Sequence, residues 1–424
     1  MHNIDLEIHK TTLPNGVQIL TKTLPQFHSV SMGVWVNVGA RDESSIESGL
    51  SHFIEHMIFK GTTRRSGYQI AKEFDAIGGN TNAFTTMENT CYYAKVIETH
   101  LATMVDILTD IFLNSLFEKK EIERERLVIL QEIGMVEDAP DEFVHQMAGE
   151  AFWGDNPLGR SILGNRQNVV SVNADMVKDF FQRLYQPERM VISAAGNFDH
   201  EHFINLVAPA FESIRSGNHF PERLTPHGRF LINLKHRDLE QTHLCIATNG
   251  LSVNDPRRYA FSLINTILGG NMSSRLFQEI RERRGLAYAI YSFMSSHIDI
   301  GMFGVYAGIA PDSVYETTRL ILNEIRRIKN EPVSSAELTA AKEFTKGSLL
   351  LSAESVDNQM VRLAQNEINF QRHVPLAEVI EKIEAVSVQD ILELASTLFQ
   401  SEQLTLTVLG PSGDPKSFEE LLHL

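Results

Sequence analysis

Two histidines and a glutamate, His52, Glu55 and His56, stand in the pattern His-x-x-Glu-His within residues 48–59. The segment predicts a helix that ends near Gly61. Residues four apart lie on one face of a helix, so the two imidazoles can bind a single ion. Imidazole suits Zn²⁺, whose catalytic sites take three protein ligands and leave a position for water. Glu55 can reach that water as a general base without being a ligand.

A third ligand must come from elsewhere in the chain, since chance alone gives this spacing in roughly a few per cent of chains of this size. Glu132 is the best candidate. Apolar residues recur at helical spacing in 120–133, and Glu125 and Glu132 lie two turns apart on one face of that helix. Such acids usually form a solvated helix face. After a His-x-x-Glu-His motif we instead interpret Glu132 as a ligand, and predict one Zn²⁺ per chain.

The elements that must position these residues occur twice. Residues 184–197 match residues 398–411 at a constant offset, and both segments read as a helix end, a turn and a buried strand. A looser match pairs residues 67–84 with 274–293. We therefore predict an α+β fold of two tandem homologous domains, each a mostly antiparallel sheet with helices packed on one face.

The chain of 424 residues exceeds the size of a single hydrophobic core. A polar, proline-containing segment at 216–228 separates the two copies and predicts a linker. We place a zinc-bearing domain at residues 1–217 and its homologue at residues 228–424. Each should contain a long helical stretch, at about 98–137 and about 312–368.

Composition excludes several classes of protein. The hydrophobic fraction of 43% is that of a globular protein, and the net charge of −16 argues against a nucleic-acid partner. No apolar run approaches the roughly 18 residues that a membrane span needs. Cys91 and Cys245 lie far apart in predicted strands, which gives neither a disulfide framework nor a thiolate metal site. Without a recognisable signal sequence at the N-terminus, we expect a soluble, cytoplasmic protein with no membrane partner.

With this motif, these downstream acids and these repeats, nearly the whole chain resembles the inverzincin zinc peptidases. These include pitrilysin, insulin-degrading enzyme and mitochondrial processing peptidase, and the sequence is most similar to their half-size bacterial members. In that family the third zinc ligand is a glutamate whose spacing falls on Glu132, and a supporting acid falls on Glu125. The resemblance implies a zinc metalloendopeptidase that acts on peptides.

The second copy has no His-x-x-Glu-His motif and carries a different signature. In the family, an arginine and a tyrosine in this context hold the substrate backbone and stabilise the tetrahedral intermediate. The resemblance implies that these are Arg281 and Tyr288. Arg284 and Tyr291 have the same spacing, and we rank them second because residues 285–288, Gly-Leu-Ala-Tyr, are the closer match. On their own, such residues are ordinary surface side chains.

A predicted strand at residues 80–85 follows two glycines. If it lies at the edge of its sheet, an extended peptide can add to it by backbone hydrogen bonds; the alternative is an interior strand. In the family this segment binds substrate in that way, which implies roles for Asn82, Ala83 and Phe84.

Full-length relatives enclose substrate between a metal-bearing half and an arginine–tyrosine half, each made of two repeats. This chain has two repeats but both signatures, which implies a homodimer whose active site is completed in trans. One alternative is a catalytically inactive, chaperone-like subunit, against which the intact His52, Glu55, His56 and Glu132 argue. The other is a half-active subunit of a processing-peptidase-like complex, against which the presence of both signatures argues.

Overall fold

The computed structural model describes residues 8–217, 220–411 and 413–424. Residues 1–7, where we expected no signal sequence, lie outside the described residues. So do residues 218 and 219 of the predicted linker.

The described strands form two sheets. The first consists of β1 (Ile8–Thr12), β2 (Gln18–Thr23), β3 (Ser29–Val36), β4 (Asn80–Thr85), β5 (Thr90–Ile97) and β6 (Met190–Gly196). The second consists of β7 (Leu231–Lys235), β8 (Thr242–Gly250), β9 (Ala287–Ser296), β10 (Gly301–Ile309) and β11 (Thr405–Leu409). Their strand orders are β1-β2-β6-β3-β5-β4 and β7-β11-β8-β10-β9.

Without β1, the two strand orders correspond position by position. In each sheet one pair is parallel, β2 with β6 and β7 with β11, and the other pairs are antiparallel. The prediction of two tandem copies of a mostly antiparallel α+β unit is confirmed. Strands β4 and β9 lie at corresponding edges of the two sheets.

The helices between these strands carry most of the remaining chain. The first half contains α1 (Leu50–Ile58), α2 (Gly67–Ala76), α3 (Leu101–Leu113), α4 (Lys119–Asp138), α5 (Pro140–Trp153), α6 (Arg166–Ser171), α7 (Ala174–Leu184) and α8 (His200–Phe211). The second contains α9 (Arg258–Leu268), α10 (Val314–Asn330), α11 (Ser335–Ser352), α12 (Val356–Phe370), α13 (Leu376–Ala385), α14 (Val388–Leu398) and α15 (Pro415–Glu419). A π-helix spans Phe277–Glu282. Over the described ranges, none of the helices combines the length and apolarity of a membrane span.

The chain separates into two compact units. One consists of the residues up to Gly134, Arg160–Arg223 and Leu350–Leu376, and the other of Met135–Gly159, Leu224–Leu349 and Ala377–Leu424. Each half of the sequence thus gives one helical segment to the unit formed mainly by the other half. The domain limits at residues 217 and 228 follow the sequence repeat and stay a prediction.

In the first unit the main core lies between one face of the sheet and the helices α1, α3, α7 and α8. Alternation along β3 sends Val30, Met32 and Val34 into this core. Trp35 points to the opposite face, where it packs with Met360 of α12. Helices therefore pack on one face, as predicted, and α12 adds a cover to the other.

The second unit repeats this arrangement. Its main core lies against α9, α10 and α14, and the other face of the sheet packs against α5.

The two long stretches predicted from the sequence are helical, but each consists of several helices. The first divides between α3 and α4, where Phe117 has a φ of 48°, which a helix does not accommodate. The second divides into α10, α11 and α12.

Candidate metal centre

Gly49 precedes the first turn of helix α1, and the buried carboxylate of Glu43 holds that turn in place. Gly49 has a φ of 99°, and a Cβ there would lie 2.8 Å from the carbonyl oxygen of Leu163. The carboxylate of Glu43 accepts hydrogen bonds from the backbone N–H groups of Gly49 (2.8 Å) and Ser51 (2.7 Å). Burial raises the pKa of Glu43 to about 8, while these hydrogen bonds oppose the rise. The start of the helix, with N–H groups that lack helical partners, is thus fixed by one side chain.

Helix α1 presents its two imidazoles to a glutamate of α4. The ring centroids of His52 and His56 are 4.6 Å apart. The Nε2 atom of each lies 3.7 Å from Oε2 of Glu132. One ligand atom from each residue lies within 4.8 Å of the others, and no other such group of three or more His, Cys, Asp or Glu residues occurs in the described part of the chain.

These three side chains fit a zinc ion. Two atoms bound to one tetrahedral zinc at about 2.0 to 2.1 Å lie roughly 3.3 Å apart, close to the nitrogen–oxygen separations found here. Those separations are too long for hydrogen bonds. Oε2 of Glu132 is buried and has no hydrogen-bond partner among the described residues. A cation between the three residues would satisfy this oxygen.

A second carboxylate, that of Glu125, orients the His56 ring through Nδ1, the ring nitrogen that does not face Glu132. Nδ1 of His56 lies 3.1 Å from Oε2 of Glu125, and Nζ of Lys60 lies 2.7 Å from Oε1 of the same carboxylate. Burial acts to raise the pKa of Glu125, but the hydrogen bonds from His56 and Lys60 outweigh it, and the pKa is lowered. A carboxylate on Nδ1 fixes the ring and leaves Nε2 to bind a metal.

Burial also sets the charge of His52. It lowers the pKa of this residue to about 4, and the neighbouring His56 adds to the effect. His52 is therefore neutral near pH 7, which is the form of imidazole that binds metals.

Glu55 lies on the same helix and is held by the edge strand of the sheet. The hydroxyl of Thr85, on β4, donates a hydrogen bond of 2.5 Å to Oε2 of Glu55. Burial raises the pKa of Glu55, against the lowering effects of this hydrogen bond and of His56. Oε1 has no hydrogen bond to any other described residue. Glu55 is thus a fixed carboxylate with one free oxygen and a pKa moved toward neutrality.

Four of the residues predicted to contact substrate lie on edge strands. Asn82, Ala83 and Phe84 belong to β4, and the Phe84 ring packs against Trp35 at 5.4 Å between centroids. In the second unit, Tyr288 lies on β9 with 76% of its surface exposed.

Arg281 lies on the π-helix of the second unit, and its Cζ atom is 5.9 Å from the centroid of the Tyr288 ring. The intervening Gly285 has a φ of 64°, which turns the chain from the π-helix into β9. The second-ranked pair is differently placed: Arg284 forms an ion pair of 2.8 Å with Glu279. The hydroxyl of Tyr291 is 2.9 Å from Nε2 of His145.

Sequence reasoning missed three residues of this site: Glu43, Lys60 and Thr85. Lys60 stands four residues after His56, and helical spacing alone could have suggested it. Glu43 and Thr85 reach the site from a loop and a strand, and their contacts leave no local pattern in the sequence.

Comparison with known proteins gives a consistent result. Residues 18–166 match the family described as Insulinase (Peptidase family M16), and residues 171–344 match the family described as Peptidase M16 inactive domain. A Bacillus subtilis protein named an uncharacterized zinc protease is 40% identical over 410 residues, which cover 97% of this chain and 100% of that protein. A Streptomyces coelicolor protein of the same description is 37% identical over 423 residues, covering 97% of this chain and 91% of the relative.

Among solved structures, the crystal structure of a protease from Helicobacter pylori is similar to this chain with a TM-score of 0.89. The match covers 96% of this chain and 100% of the other. At 20% identity, the likeness shows the fold alone.

Replacing Glu43 tests what holds the start of α1. We expect Glu43→Ala to lower the free energy of unfolding of the metal-free protein by about 2 to 4 kcal/mol, because two buried N–H groups lose their acceptor. The matched control is Ser66→Ala, which removes the side-chain cap of α2 and should cost about 1 kcal/mol. Urea unfolding measures both. Equal losses in the two variants would mean that the Glu43 carboxylate is no more than an ordinary cap.

Proposed function

The chain belongs to the insulinase family of peptidases, M16, and on that premise we propose that it is a zinc metalloendopeptidase of short or unfolded polypeptides. The observation that carries the proposal is the convergence of His52, His56 and Glu132 on one point, with Glu55 on the same helix. The names of the two bacterial relatives, which call them zinc proteases, support the choice of metal.

In this proposal, Nε2 of His52, Nε2 of His56 and the carboxylate of Glu132 would hold one zinc ion per chain. When bound, zinc supplies a Lewis acid that polarises the scissile carbonyl and acidifies a water molecule. Glu125 keeps the His56 ring in the required orientation.

Glu55 is the proposed general base. Thr85 occupies Oε2, so Oε1 is the atom that takes a proton from the water as it attacks the scissile carbonyl. The same carboxyl group then gives this proton to the leaving amine. The C–N bond breaks, two peptides form, and no covalent bond to the enzyme is made. The raised pKa of Glu55 suits both steps.

The edge position of β4 supports a role in substrate binding. Antiparallel pairing with β5 uses one side of β4 and leaves its other side available to an added strand. A peptide bound along Asn82, Ala83 and Phe84 is aligned through its backbone, so little side-chain specificity is required.

For the arginine–tyrosine pair we propose Arg281 and Tyr288. The Tyr288 hydroxyl is exposed, and neither residue forms an ion pair or hydrogen bond through its side chain within the described ranges. Arg284 and Tyr291 are already engaged, with Glu279 and His145. A free hydroxyl and a free guanidinium can donate to the oxyanion that develops on the substrate.

We also propose a homodimer in which Arg281 and Tyr288 of one chain complete the zinc site of the other, and a cytoplasmic location. Having both signatures on one chain supports the dimer. Cys91 and Cys245 are buried and unpaired, which suits a reducing compartment.

Glu55→Gln separates the base from the metal ligands. We expect the variant to bind about one zinc per chain and to lose peptide hydrolysis, because the amide cannot accept the proton. His52→Ala, His56→Ala and Glu132→Ala should each lose zinc. Metal content after reloading and turnover of a mixed peptide library measure the two properties. Glu123→Gln, an exposed acid on α4, is the control and should retain both.

Wild-type turnover by Glu55→Gln would mean that Glu55 is not the general base. If Glu132→Ala retained zinc and activity, the third ligand would be another acid of α4, and Glu125 and then Glu137 would be tested next.

Tyr288→Phe against Tyr291→Phe decides between the two pairs. We expect the first to lower kcat about 10²- to 10³-fold with little change in KM, because one oxyanion donor is lost. The second should keep kcat, since its hydroxyl bonds to His145. Steady-state kinetics on one fluorogenic peptide measures both. The opposite pattern would assign the role to Arg284 and Tyr291.

Mixing two inactive variants tests the homodimer. After subunit exchange, Glu55→Gln with Tyr288→Phe should recover toward about a quarter of wild-type activity, because random pairing gives one intact site in each heterodimer. Each variant alone is the control. Absence of recovery despite proven exchange would mean that each site is completed within one chain.

A further inference from the structure

Lys60 lies just behind the metal site and has no part in the proposed chemistry. Its ammonium nitrogen lies 2.7 Å from Oε1 of Glu125, while the other carboxylate oxygen of Glu125 bonds Nδ1 of His56. These contacts form a chain from Lys60 through Glu125 to His56. The last residue of this series, His56, has its Nε2 atom 3.7 Å from Oε2 of Glu132.

The Glu125 carboxylate depends on this lysine. Only 8% of the Glu125 side chain is exposed, and within the described residues Oε1 has no other partner. Without Lys60 the buried carboxylate would keep one bonded oxygen and one unpaired oxygen, and rotation of the group toward another donor or toward solvent would relieve the unpaired oxygen. Such a rotation moves the acceptor that orients His56.

The backbone on both sides of Lys60 is fixed, so its side chain starts from a defined place. The Lys60 N–H donates to the carbonyl of Met57 at 3.1 Å. The next residue, Gly61, forms a β-bridge with Ser66 and accepts a hydrogen bond of 3.1 Å from the N–H of Leu116. An ion pair held in this way, and two-thirds or more buried on both sides, differs from the mobile surface pairs that contribute little.

We propose that Lys60 is a positioning residue of the metal site, which holds Glu125 in the rotamer that orients His56 toward the ion. The proposal rests on the zinc site proposed above. A lysine that acted only by its charge would have the opposite effect, because a positive charge near the site repels a dication. The sign of the change in zinc affinity therefore separates the two roles.

The experiment measures zinc affinity of the apoprotein by competition with a chromogenic chelator. We expect Lys60→Met to weaken binding about 10- to 100-fold, the usual effect of losing a partner behind a ligand. Lys60→Arg keeps the charge and an N–H donor and should keep most of the affinity. Lys120→Met removes the same charge from the exposed start of α4 and should change nothing. Circular dichroism checks the fold of each variant.

A double variant shows whether Lys60 acts through Glu125. In the Glu125→Gln background, Lys60→Met should change zinc affinity by less than about twofold, because the contact is already lost. Additive losses, or unchanged or tighter binding by Lys60→Met alone, would overturn the proposal. If the wild-type protein itself binds no zinc, the proposed function fails as well, whereas a wild-type protein that binds and hydrolyses leaves only the role of Lys60 in question.

Discussion

The register between helices α1 and α4 is the constraint on which the site depends. Neither helix holds all three candidate ligands: α1 offers two imidazoles and α4 one carboxylate. A slip of one residue along α4 would move Glu132 by about 1.5 Å and turn it by about 100°. The hydrogen bond between Glu125 and His56, two turns away, fixes that register at a second point. The buried residues Ile122 and Ile129 hold the same face of α4 in the core.

The edge strand β4 contains the proposed peptide-binding residues and also contacts the proposed base. Its last residue, Thr85, orients the carboxylate of Glu55, and the proposed peptide-binding residues precede it on the same strand. A peptide added to this edge would be aligned by the backbone that also fixes the base. Positioning of both partners by one rigid element is the usual way in which proximity lowers a reaction barrier.

The sequence predicted the parts of this molecule that depend on local spacing. His52, Glu55 and His56 were recognisable because one helical turn determines which side chains share a face. The two copies of the sheet followed from a repeat. No local spacing links Glu132 to the motif, because two strands and two helices separate it from α1, so it had to be inferred from the need for a third ligand and from the spacing in the family. The sequence did not predict that α5 belongs to the second unit and α12 to the first. Both are ordinary helices, and the sheet against which each packs is determined by tertiary contacts and not by a local sequence pattern. The break at Phe117 was missed for the same reason.

A comparison of the two copies shows how the candidate metal site differs from the equivalent place in the second copy. Helices α1 and α9 occupy the same place in the two strand orders, and each packs an apolar face into its own core. On α9 the polar residue Asn265 is paired within the protein, since Ser292 donates a hydrogen bond of 2.8 Å to it. On α1 the corresponding face gathers two imidazoles and a carboxylate near Glu132, whose buried oxygen finds no partner within the described ranges. Like charges and an unpaired acceptor at one place destabilise a fold, unless a cation completes the arrangement. The same α+β unit thus pairs this polar residue of α9 within the protein in its second copy, and in its first copy it gathers three candidate ligands around a point that a cation would fill.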